Sequence, residues 1–167
     1  MHLFLSLVIS ILAQQAQPTL TPIDAPGIQI PEKPTEKIDP DEVAADQAAQ
    51  LFLQALLSGK AAELARTGTD PFTFDGVQAE GSEKIEATWK KLLPNIKREM
   101  PQEDQGRLSI VDYAAAEKRF GTPPKKFAHL KLKRCKFALV EFENRPGFVM
   151  ILADQGKGIW AVTGITD

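Results

Sequence analysis

The sequence predicts an α+β domain in which N-terminal helices pack on a curved antiparallel sheet, and three observations carry the prediction. Apolar residues in the first half recur at the 3, 4 spacing of helix faces, between clear start and stop signals. From Leu130 onward the period changes to two. The runs of that second part are separated by turn sequences, Asn144-Arg145-Pro146-Gly147 and Asp154-Gln155-Gly156-Lys157-Gly158.

Taken in order, the first helix opens at Asp39-Pro40-Asp41-Glu42. Aspartate caps free N–H groups, proline suits the first helical position, and two acids complement the positive end of the dipole. Val43, Ala44, Ala48, Leu51, Phe52, Ala55 and Leu56 make its expected buried face, and Gly59 ends it. A short helix over about 61–66 follows, and Asp70-Pro71 bends the chain before the β-prone Phe72-Thr73-Phe74. Gly81-Ser82 starts a third helix with Ile85, Trp89, Leu92 and Ile96 on one side. Leu108, Ile110 and Val111 suggest a strand, and a helix over about 114–120 is stopped by Gly121 and Pro123-Pro124. Strands are expected over 130–142, 147–153 and 158–164. The last of these are apolar on both faces, Phe148, Met150 and Leu152 against Val149, Ile151 and Ala153, so each face needs cover. The helices supply one cover; the other is a candidate homodimer contact through the sheet.

Upstream, Leu3 to Leu12 form an apolar block broken only by Ser6 and Ser10, with Gln14, Gln15 and Gln17 beyond it. Such a helix rises about 15 Å, roughly half a hydrocarbon core, and is too short to span a bilayer. Residues 1–16 therefore read as a signal peptide, and the protein as exported, periplasmic or extracellular, with no transmembrane segment after cleavage. Residues 17–40 hold six of the twelve prolines and read as a disordered proline-rich linker, leaving 41–167 as the folded domain.

Several function classes are disfavoured by composition. A formal charge of −2 gives no general attraction to nucleic acid, and none is expected as a partner. Beyond His2, one histidine (His129) and one cysteine (Cys135) are present, too few for a zinc site, and no cofactor or metal is implied. No Gly-x-Ser-x-Gly elbow presents a nucleophile, and Gly156-Lys157-Gly158 lacks the spacing of a phosphate loop. Lys125, Lys126, Lys131, Lys133, Arg134 and Lys136 form a stretch without acids. It reads as a solvated lysine-protected sheet edge, or alternatively as a patch for an anionic partner.

The order of helices before sheet, the Gly-x-x-x-Ile helix start at Gly81 to Ile85 and the terminal Trp160-x-Val162 strand resemble the nuclear-transport-factor-2-like superfamily, with its cystatin-like cone. The resemblance covers about 41–167. It implies a pocket between helices and sheet, serving enzymes such as steroid isomerases and polyketide cyclases or simple binding modules. Phe74, Trp89, Tyr113 and Trp160 are the candidate ligand-binding residues in such a pocket, and no residue is assigned a catalytic role. The reading is a non-catalytic module for a small apolar ligand or a protein partner. Its alternative is an isomerase, cyclase or hydratase, which requires Asp75 or Asp112 to meet Tyr113 inside one cavity.

Overall fold

A computed structural model describes residues 39–99, 107–143 and 146–167 of the chain. The signal peptide expected over 1–16 and all but the last two residues of the linker expected over 17–40 lie outside the described residues; those two, Asp39 and Pro40, belong to the start of the first helix instead.

Among the described residues four helices and six strands follow one another as α1 (Pro40–Ser58), α2 (Ala61–Thr67), β1 (Gly68–Phe74), β2 (Val77–Ala79), α3 (Ser82–Glu99), β3 (Arg107–Val111), α4 (Tyr113–Phe120), β4 (Cys135–Glu141), β5 (Phe148–Asp154) and β6 (Trp160–Thr166). The fold class is α+β. The start of α1 is set as its sequence dictates: Asp39 Oδ1 accepts from the Asp41 N–H at 3.0 Å, with Pro40 in the first turn. At the other end Gly59 adopts φ 66° and donates to the carbonyls of Ala55 and Leu56, a left-handed cap that a β-carbon disfavours.

The strands form one sheet in the order β2-β1-β6-β5-β4-β3. All neighbours are antiparallel except β1 and β6, which run parallel, so the sheet is mixed where the sequence led us to expect an antiparallel one. Parallel pairing of the first and last strands requires a connection through everything between them, and local periodicity carries no trace of it. Gly164 permits their close approach, since a β-carbon there meets the Thr73 carbonyl oxygen at 2.9 Å.

One face of the sheet carries α1, α2 and α3. Its core gathers Phe52, Leu56, Leu64, Phe72, Phe74, Ile85, Trp89, Val140, Met150, Leu152 and Val162. On α1 the buried positions are Ala45, Ala49, Phe52, Ala55 and Leu56, while Leu51 is 60% exposed. The buried face is thus rotated from the expected one. Alanines let the helix lie close to the sheet, and the larger Val43 and Leu51 are left outside. On α3 the buried line is Ile85, Trp89 and Leu93.

The opposite face is covered by the chain itself. Here α4 and two 3₁₀ turns, Lys125–Phe127 and Leu132–Arg134, pack Ala116, Phe127, Tyr113, Leu130 and Leu132 over Cys135, Phe137, Leu139 and Ile151. The basic stretch is therefore not an edge strand. Regular strand begins only at Cys135, and β4 lies inside the sheet between β5 and β3. The edges among the described strands are β2 and β3.

Candidate functional site

The cover on this second face is short. Helix α4 spans 8 residues, held at its start by Asp112, whose Oδ1 accepts from the Ala115 N–H at 2.7 Å. Gly121 at φ 82° and the Pro123-Pro124 pair then turn the chain away. Between this cover and the strands lies a groove of about 470 Å³. Its floor is Phe137, Leu139, Val149 and Ile151, alternate residues of β4 and β5 that share one face. Ala116, Phe120, Pro123, Pro124 and Phe127 wall it, and Phe142, Phe148 and Asp167 also line it.

Polar contacts fix the rim. The Tyr113 hydroxyl donates to Glu117 Oε1 at 2.8 Å, and this bond to a carboxylate holds the phenol above its ordinary pKa. Arg119 is ion-paired with Glu141, joining α4 to β4. Lys126 Nζ lies 2.5 Å from Asp75 Oδ1, which also accepts from the Thr166 hydroxyl at 2.8 Å. The lysine first, and then the threonine, keep the Asp75 carboxyl below the ordinary carboxylate range. His129 Nε2 stands 3.0 Å from the buried Thr73 Oγ1, a second tie between the 125–129 segment and β1.

Of the four candidate ligand-binding residues, only Tyr113 lines the groove. Phe74 and Trp89 pack face to edge at 4.9 Å in the helical-side core, with Phe52 and Phe72 against them. These rings occupy the space where the resemblance places a pocket. Trp160 packs against the same core, and Lys136 Nζ lies 5.7 Å from its ring while reaching Asp39 Oδ2 at 3.2 Å. The structure therefore does not bring the four together. Aromatic size does not point to the groove floor; the signal that does is the apolar character of Val149 and Ile151 on the second face.

Chemically the groove offers an apolar floor and a rim on which Tyr113 is bonded to Glu117, Arg119 is paired with Glu141 and Lys126 is paired with Asp75. Asp75 and Asp112 do not line it, being held by Lys126 and by the α4 start. Their convergence with Tyr113 is not formed. The Cys135 thiol is buried beneath the cover, and burial pushes its pKa up to about 11, which suppresses the reactive thiolate. No group of three or more His, Cys, Asp or Glu side chains is arranged to hold a metal among the described residues, and no helix there is long and apolar enough to cross a membrane.

No family model matches the chain, and no curated protein matches it. Among solved structures, a domain of unknown function with a cystatin-like fold from Nostoc punctiforme is similar over 75% of this chain and 74% of its own, at 12% identity and a TM-score of 0.40.

Proposed function

We propose that this protein is an exported, non-catalytic binding module whose groove takes a small, largely apolar molecule. The observation that carries the reading is the groove of about 470 Å³ floored by Phe137, Leu139, Val149 and Ile151. Small-molecule sites occupy roughly 300–1,000 Å³ and combine apolar linings with a few placed polar groups. Covering that floor with a ligand removes apolar surface from water, at about 25 cal/mol per Å². A non-catalytic role is supported by the commitment of Tyr113, Asp75 and Asp112 to Glu117, Lys126 and the α4 cap. Helix-then-sheet order supports a cone of the nuclear-transport-factor-2-like kind.

Titration with the apolar fluorophore N-phenyl-1-naphthylamine tests the groove. The wild-type chain binds one equivalent with a blue-shifted emission, and Val149→Trp, which fills the groove from its floor, abolishes binding while the chain stays folded. Unchanged binding in that variant overturns the assignment.

Export rests on the apolar block from Leu3 to Leu12 and the polar glutamines after it. A phosphatase active only outside the cytoplasm, fused after residue 40, is expected to be active in bacterial cells. An inactive, cytoplasmic fusion contradicts export.

A further inference from the structure

The groove has a neighbour beside Tyr113. A second depression, lined by Tyr113, Lys131, Leu132, Lys133 and Arg134, shares Tyr113 and Leu132 with it. The 3₁₀ turn creates this cluster: Arg134 N–H donates to the Lys131 carbonyl at 2.8 Å, curling the chain so that three cations gather instead of alternating along a strand. All three are exposed, and no acid pairs with them among the described residues. The cations lining the groove itself differ, since Arg119 is held by Glu141 and Lys126 by Asp75. A groove with an apolar floor thus adjoins, across Tyr113 and Leu132, a cluster of positive charge that no acid among the described residues pairs with, in a chain whose formal charge is −2.

Resting on the reading of the groove as a ligand site, we infer that the ligand is a single-chain amphiphile with an anionic head, its chain along Phe137, Leu139 and Ile151 and its head between Lys131, Lys133 and Arg134. Charge complementarity selects the head. A carboxylate or phosphate beside an apolar wall is attracted more strongly than in open water, because the low-dielectric wall screens less. Burial of the chain supplies affinity, roughly fourfold per methylene. The cluster selects between heads, and the groove holds whatever chain follows.

Displacement of N-phenyl-1-naphthylamine from the full chain by decanoate, decanol and decyltrimethylammonium, at pH 8 and below micelle formation, separates the two statements. Decanoate is expected to displace the fluorophore at concentrations about tenfold or more below decanol, with the gap closing as salt is added. In the triple variant Lys131→Gln, Lys133→Gln, Arg134→Gln, decanoate falls to the level of decanol while decanol is unchanged. Equal potency of decanoate and decanol in wild type overturns the anionic head and leaves the groove standing. So does tighter displacement by decyltrimethylammonium, or an equal loss of both decanoate and decanol in the triple variant. Failure of the fluorophore itself to bind overturns the groove reading and this inference together.

Discussion

The two faces of the sheet are built from the same kinds of side chain and finished differently. On the helical face three helices press Phe52, Phe72, Phe74 and Trp89 together, with ring centroids 4.8 to 5.8 Å apart. On the other face one short helix and two 3₁₀ turns cover Cys135 and part of Phe137, and a groove remains. Apolar strand residues alone do not decide between core and site. The length of the covering segment decides, and here Gly121 and Pro123-Pro124 cut it short.

The more completely packed helical face is where stability resides. Trp89, 0% exposed and packed against three other aromatic rings, is the position with most to lose. Trp89→Ala is expected to cost about 3–5 kcal/mol, read as a fall in the urea midpoint. A cost below about 1 kcal/mol places the stabilising packing elsewhere in the fold.

A matched pair sharpens the contrast between the two faces. Leu152 and Leu139 are 0% and 2% exposed and lie on adjacent strands, but face the helices and the groove respectively. Leucine-to-alanine changes in cores cost about 2–5 kcal/mol, more where surrounding atoms cannot close the gap. Leu152→Ala is expected near the upper end and Leu139→Ala near the lower, a difference of about 1 kcal/mol or more in matched denaturation curves. The reverse order places the tighter packing on the groove side.

Much of the helical face was legible in the sequence. The Asp39-Pro40 start and Gly59 stop of α1 are local signals, read directly from cap chemistry, and the last two strands fall within two residues of expectation. What escaped was nonlocal. The β1–β6 parallel pairing joins residues about ninety positions apart, and the buried stripe of α1 runs through Ala45 and Ala49, which hydrophobicity ranks below Val43 and Leu51. The basic stretch deceived for a related reason. Leu130 and Leu132 alternate with lysines as in a strand, but Leu130 N–H bonds to the Phe127 carbonyl and Arg134 N–H to that of Lys131, closing turns instead. Aromatic character alone marks Tyr113 in the sequence, and it is the one of the four candidates that meets the groove.

The smallest expected effect concerns the groove wall. Asp75 holds Lys126 from the β1–β2 turn, and its folded pKa lies below the ordinary 3.8. The ion pair therefore contributes above pH 3.8, where the unfolded chain is also ionised, and its contribution is lost as pH falls through the folded value. Because both side chains are largely exposed, solvent screening limits it to less than about 1 kcal/mol. Asp75→Asn, which keeps the tolerance of positive φ needed at 44°, is expected to lower the urea midpoint slightly at pH 7 and to match wild type well below pH 3.8. A gap that persists at low pH assigns the effect to something other than the ion pair.

Whether ligand enters the groove is read most directly in a methyl NMR titration of the full chain with decanoate. Shifts are expected at Leu139, Val149, Ile151 and Ala116 around the groove, with Leu64, Ile85 and Leu152 on the helical face unmoved. Perturbation confined to the helical face, or to none of these methyls, rules out the groove as the binding site.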